Sequence, residues 1–232
     1  MDLLILPHAG GSAKTYCNMK KFFPTEIRLV PLEPSGRGAR INEPFCESIE
    51  ECASDLAERL VLSGESDGYA IFGHSMGTML AAELVRQLRR RGVSGPEHVF
   101  LSGRCALDDK ASLRFTASST DEEITRFFVE NELIPSAVVQ NEQLFAMFSA
   151  ILCADIRMTG DYRLTPKDFT FDCDISVLYG RSDKFLCGCD MKRWAAYTNG
   201  KCELFEFNGG HFYYSDEKEK LCGIITQKLL GI

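Results

Sequence analysis

Gly73-His74-Ser75-Met76-Gly77 follows the apolar run Tyr69-Ala70-Ile71-Phe72 and precedes a helical pattern from Thr78 to Arg91. A G-x-S-x-G pentapeptide between a strand and a helix constrains the fold strongly. Its turn is so tight that the serine oxygen stands exposed at the end of a parallel strand. Ser75 is therefore a candidate nucleophile, and the chain a candidate hydrolase or acyl transferase. The pentapeptide alone occurs by chance in about one chain in ten of this length. The flanking elements, a base and an acid must carry the case.

The flanking elements have the required rhythm. Short apolar runs bounded by Gly, Pro or polar residues predict strands at Leu3–Leu6, Ile27–Leu32, Tyr69–Phe72, His98–Ser102, Ile175–Tyr179 and Glu203–Phe207. Most are continuously apolar, as strands of a parallel sheet covered on both faces must be. Between them, Ile49, Cys52, Ala53, Leu56 and Leu60 recur at helical spacing after Ser48, which with Glu51 forms a possible capping box. Leu80, Leu84 and Leu88 mark a helix over Met76–Arg91, and further helices are predicted at Met191–Thr198 and Lys218–Leu230. Alternating strands and helices imply right-handed βαβ units and a mostly parallel, doubly wound α/β sheet. The 232 residues suit one domain, 1–232.

One interval breaks the rhythm. Gly103 to Asp174 carries no strand pattern and is too long for a bare loop in a compact domain. Its helical patterns include Ile124, Phe127 and Phe128, then Leu144, Phe145, Met147, Phe148, Ile151 and Leu152. They predict an inserted helical subdomain, a lid over approximately 107–165. Phe128, Phe145, Met147 and Phe148 are candidate pocket residues over Ser75; the alternative is that these aromatics simply pack on the main body.

Composition narrows the partners. A net charge of -7 argues against nucleic acid. Arg86, Arg89, Arg90 and Arg91 form the densest basic cluster, either a solvated helix C-terminus or a docking patch for an acidic protein. No apolar run reaches the roughly 18 residues of a membrane span. With strand-like residues starting at Leu3, the expectation is a cytoplasmic protein with reduced thiols. The ten cysteines are scattered, and Cys187-Gly188-Cys189 is the only close pair, so no metal site is expected.

A serine hydroxyl needs a base to take its proton, and a histidine base needs a carboxylate to orient it. The chain has four histidines. His74 belongs to the turn itself, His98 begins a strand, and His8 lies in the first loop. His211 follows the last predicted strand in Asn208-Gly209-Gly210-His211-Phe212 and is the candidate base. Asp183, after Ile175–Tyr179, gives the order Ser, Asp, His of α/β-hydrolases. Asp108 or Asp109, after His98–Ser102, competes for the same role. The segment Leu6-Pro7-His8-Ala9-Gly10-Gly11-Ser12-Ala13 follows the first strand, where this fold places its oxyanion loop. The amides of Met76 and Ala9 are the candidate donors.

With these motifs placed, the chain resembles the type II thioesterases of nonribosomal peptide and polyketide synthesis. The resemblance rests on Leu6 to Ala13, on Gly36-Arg37-Gly38 with Arg40 and Glu43-Pro44, and on Phe72 to Gly77. Ser102-Gly103, Ala154-Asp155, Gly180 with Asp183-Lys184, Trp194 and Gly209-Gly210-His211-Phe212 complete it. It implies an α/β-hydrolase fold and an enzyme that hydrolyses acyl or aminoacyl thioesters from the phosphopantetheine arm of carrier proteins, clearing misprimed or stalled modules. It implies acyl or peptidyl carrier domains as partners; no cofactor of the enzyme's own is expected, and a monomer is the default expectation. Ser35 stands where members often carry Pro, and Gly160-Asp161-Tyr162 replaces a usual Glu before Tyr.

Overall fold

The computed structural model describes residues 1–64, 68–109 and 114–232. Six parallel strands form one sheet: β1 (Asp2–Leu6), β2 (Arg28–Pro31), β3 (Tyr69–His74), β4 (His98–Ser102), β5 (Asp174–Gly180) and β6 (Cys202–Phe207). Their order is β2-β1-β3-β4-β5-β6. Each predicted strand is present, β4 with its predicted bounds and the others with ends moved by at most two residues. The chain runs outward from β1 to β2, then returns to the other side of β1 as β3. That reversal opens a crevice at the C-terminal ends of β1 and β3, where ligands bind in open α/β sheets.

The continuous apolar runs have a direct cause. Successive strand residues point to opposite faces, and both faces are covered. Leu4, Leu6, Ile71, Val99, Leu101, Ile175 and Val177 face one core, with Leu80, Leu84 and Leu88 of α2 (Met76–Arg90) and Ile49, Cys52 and Leu56 of α1 (Ile49–Ser63). Leu3, Ile5, Ala70, Phe72, Phe100 and Leu178 face the other, under Tyr16 and Met19 of the turn Ala13–Phe22 and under the last helix, Lys218–Leu230. The turn Ala13–Phe22 has no counterpart among the predicted elements, because its apolar residues are too sparse to show a period.

Ser48 does cap α1, accepting from the Glu51 amide at 3.1 Å, but Glu51 reaches back to the Glu47 amide, so the box is not reciprocal. A reciprocal box lies elsewhere, at Thr120 and Glu123, and starts α3 (Asp121–Glu130). Between β4 and β5, α3 is followed by α4 (Ser136–Val139) and α5 (Glu142–Gly160). The last half of α5 is buried through Leu152, Cys153, Asp155 and Ile156, while Leu144 and Met147 on its first half face solvent. The final helix is α6 (Lys218–Leu230). Among the described residues, no helix is long and apolar enough to cross a membrane.

One expectation needs correcting. Cys105 and Cys189 form a disulfide, with Cα atoms 5.6 Å apart, where reduced thiols were expected. They follow β4 and β5, neighbouring parallel strands, so the fold brings their loops side by side. The arginine cluster on α2 is largely engaged within the chain. Arg86 pairs with Glu83. Arg89 pairs with Asp172 at 2.7 Å, donates to the Thr170 carbonyl and lies over the Phe169 ring, while Arg91 bonds Gln87 and Ser54. Of the two readings of this cluster, these contacts favour the helix C-terminus over the docking patch.

Candidate active site

Ser75 sits between β3 and α2 at φ 55° and ψ -112°. A positive φ on a non-glycine residue stores about 1–3 kcal/mol and persists only where the surroundings enforce it. The surroundings here are backbone. The Ser75 amide donates to the Ser102 carbonyl at 2.7 Å. A Cβ on Gly73 would lie 2.2 Å from the Gly77 carbonyl oxygen, and one on Gly77 would lie 2.3 Å from that of Leu6. The two glycines thus let the turn fold onto itself and let α2 start against β1.

His211 and Asp183 meet across the loops after β6 and β5. His211 Nδ1 and Asp183 Oδ2 are 2.8 Å apart, and both side chains are almost wholly buried. The other Asp183 oxygen accepts from the Phe185 amide at 2.9 Å, capping the short turn Lys184–Leu186. Backbone bonds stitch the two loops together: Arg181 N to Phe207 O and Ser182 N to Gly209 O, each 2.9 Å. Asp108 and Asp109 are both held by Arg193, at 3.0 and 3.1 Å, and His211 is not their partner.

Each of the other three histidines places one ring nitrogen against a hydroxyl. His74 is fully buried; its Nδ1 lies 2.8 Å from Ser102 Oγ, which in turn meets the Tyr213 hydroxyl at 2.6 Å. Burial, then the nearby His211 and His8 rings, push its pKa well down. His8 Nδ1 meets the Tyr16 hydroxyl at 2.7 Å, and burial first, then His211 and Arg37, push its pKa down to about 3. His98 meets Ser176 Oγ at 2.9 Å, and burial lowers its pKa to about 4.

A cavity of about 830 Å³ opens beside these residues; His8, Ala9, Ser75, Asp183 and His211 line it. Its apolar wall comes from Phe115, Phe127, Phe128 and Phe185. Of the four predicted pocket residues, only Phe128 is there. Phe145 and Phe148 are partly buried against the main core, the Phe148 ring packs on Gly10, and Met147 is 58% exposed. Their helix crosses the cavity side only beyond Phe148, where Ile156, Thr159 and Gly160 line it. Periodicity placed these residues on a helix but could not say which arc faces the cavity.

Sequence reasoning about chemistry also passed over Arg37 and Asp155, quoted only within motifs. Both are buried. Arg37 Nη1 and Nη2 each meet an Asp155 oxygen at 2.5 Å, and Arg37 Nη1 donates to the Gly11 carbonyl at 3.3 Å. The Gly10 amide donates to Asp155 Oδ2 at 2.8 Å. One ion pair therefore joins α5, the loop after β2 and the Ala9-Gly10-Gly11 loop. Asp155→Ala would leave Arg37 buried and unpaired. It should lower the unfolding free energy by about 3–5 kcal/mol, read by urea denaturation; a change under about 1 kcal/mol would mean that water replaces the carboxylate.

Comparison with known proteins bears on this geometry. The family profile described as "Thioesterase domain" matches residues 1–229. Linear gramicidin dehydrogenase LgrE of Brevibacillus parabrevis is 29% identical over 96% of this chain and 85% of its own length. Despite that name, no G-x-G-x-x-G fingerprint follows β1 here. Thioesterase PikA5 of Streptomyces venezuelae is 30% identical over 98% of this chain and 80% of its own. Among solved structures, ClbQ from the colibactin NRPS/PKS pathway superposes with a TM-score of 0.83 at 28% identity, over 99% of this chain and 97% of ClbQ. A six-stranded parallel sheet, with the thioesterase profile matched over residues 1–229, makes this protein a member of the thioesterase family, with an α/β-hydrolase fold.

Proposed function

We propose that this protein is a free-standing thioesterase that hydrolyses acyl or aminoacyl thioesters from the phosphopantetheine arm of carrier proteins, editing misprimed or stalled synthetase modules. The observation that carries the reading is the His211–Asp183 pair, 2.8 Å apart, on the wall of the cavity that Ser75 also lines. Ser75 Oγ attacks the thioester carbon while His211 Nε2 takes its proton. Asp183 holds the imidazole through Nδ1 and balances the imidazolium. The oxyanion is met by the Met76 and Ala9 amides. The Gly10 amide is committed to Asp155 and the Gly11 amide to the His8 carbonyl, which supports Ala9 as the donor of that loop. The tetrahedral adduct expels the thiol, whose pKa of about 8.5 makes it an easy leaving group. His211 then activates water against the acyl-serine. These steps use side chains, backbone amides and water, with no cofactor held by the enzyme.

The segment of about 107–165, with α3, α4 and α5, is proposed as the lid, supported by the Phe127 and Phe128 rings that it adds to the cavity wall. Carrier domains are the proposed partners, the enzyme acting as a cytoplasmic monomer. Related proteins named for the gramicidin S and colibactin pathways support that setting. The test compares kcat/KM for one acyl group on a carrier protein, on N-acetylcysteamine and as an oxygen ester. The carrier substrate is expected to lead by at least about tenfold. Fast hydrolysis of the oxygen ester, with no advantage for the carrier, would sink the reading.

A further inference from the structure

The cavity beside Ser75 has an electrostatic feature that the proposed mechanism does not use. Arg104 lines it, two residues beyond the end of β4. Its backbone is pinned on both sides. The Trp194 indole donates to the Arg104 carbonyl at 2.9 Å, and the next residue, Cys105, is in the disulfide to Cys189. Its guanidinium is the opposite case. Nε is shut off from solvent with no hydrogen-bond partner, and among the described residues no carboxylate pairs with the group. The charges that act on it are the Arg163 guanidinium, which repels it, and the Tyr162 phenol.

Arg163 lines the same cavity. It spends its donors on the Tyr162 and Gly160 carbonyls, and it too has no carboxylate partner among the described residues. The acids on the cavity wall are elsewhere engaged or, like Arg163 itself, exposed: Asp183 holds His211, and Glu130, Glu132 and Asp216 are solvent-exposed. Burial and Arg163 together push the Arg104 pKa down to about 10, so the group stays cationic near neutrality.

The Arg104 guanidinium is unfavourably placed in the empty protein, because its Nε is shut off from solvent and forfeits its hydration without a hydrogen bond in return. A guanidinium held by a rigid backbone and left unpaired is arranged to receive an anion, since its planar donor set matches a carboxylate or a phosphate oxygen pair. We propose that Arg104, seconded by Arg163, forms an anion-receiving subsite in the cavity beside Ser75, and that the substrates of this enzyme place a carboxylate or phosphate group there. This rests on the thioesterase reading and deepens it. The anion has two sources within such a substrate: a carboxylate at the far end of the acyl group, or the phosphate of the pantetheine arm.

Four substrates separate them: malonyl and butyryl thioesters, each on pantetheine and on 4′-phosphopantetheine. Malonyl and butyryl differ chiefly in charge, and the two arms differ only in the phosphate. The readout is the ratio of kcat/KM between charged and uncharged members of each pair, in the wild type and in Arg104→Met. A fall of at least tenfold in the malonyl-to-butyryl ratio assigns the subsite to the acyl carboxylate. The same fall in the phosphopantetheine-to-pantetheine ratio assigns it to the arm. Arg163→Gln should lower the same ratio by a smaller factor.

The melting temperature of Arg104→Met should equal or exceed that of the wild type, because removing a guanidinium whose Nε is buried and unpaired relieves a penalty. Equal losses on all four substrates, no change in either ratio, or a variant that fails to fold would each overturn the proposal. Wild-type protein that folds but cleaves none of the four would instead refute the thioesterase reading on which it rests.

Discussion

Ser75→Ala is expected to lower kcat toward acyl thioesters by about 10⁵-fold or more, to the level set by binding and the oxyanion donors alone. The size follows from the mechanism: without Oγ no acyl-enzyme forms, and His211 and Asp183 have nothing to activate except water. The variant should remain folded. Ser75 makes no side-chain hydrogen bond to the start of α2, so no helix cap is lost with the hydroxyl. Alanine inherits the same positive φ, already enforced by Gly73, Gly77 and the bond to Ser102. A melting temperature within a few degrees of wild type should accompany the loss of turnover and of labelling by a fluorophosphonate probe. Retention of more than about one part in a hundred of the activity in Ser75→Ala would remove Ser75 as nucleophile.

Asp183→Asn is expected to cut kcat by about 10³–10⁴-fold with little change in KM. The carboxamide is nearly isosteric, and its oxygen can still accept from the Phe185 amide. What changes is the face toward His211. A carboxylate accepts only, which keeps the proton on Nδ1 and leaves Nε2 free to act as base. An amide nitrogen at that place donates instead and selects the wrong tautomer. Asp108→Asn and Asp109→Asn should stay within about threefold of wild type, because their carboxylates serve Arg193 rather than His211. Severe loss in Asp108→Asn, with Asp183→Asn active, would move the acid to the loop after β4.

The competition between these aspartates shows where reading the sequence stops. Asp183 and Asp108 both follow a predicted strand, and both could reach a histidine at the edge of the crevice. Chain order favoured Asp183, but nothing in the sequence said that Arg193 would occupy the other two. The pocket residues of the helical insertion show the same limit. Phe145, Met147 and Phe148 share a helical period with the core, and period alone does not say which arc looks into a cavity. Phe127 and Phe185 line the cavity instead, one from α3 and one from the turn that Asp183 caps.

The sequence by itself determined the elements and the placement of the candidate nucleophile, base and acid at strand ends. The reason is that these depend on local chemistry: apolar runs for buried parallel strands, glycines where backbone meets backbone, and a histidine after the last strand. Tertiary structure decided what depends on pairs far apart in the chain. Arg37 and Asp155 are 118 residues apart, yet they join α5 to the Ala9-Gly10-Gly11 loop. The disulfide joins Cys105 to Cys189 across 84 residues. Arg104 reads in the sequence as one more surface cation. Only the folded chain leaves it lining the cavity with its Nε buried and unpaired, because whether a charged group is paired is set by what the fold packs around it.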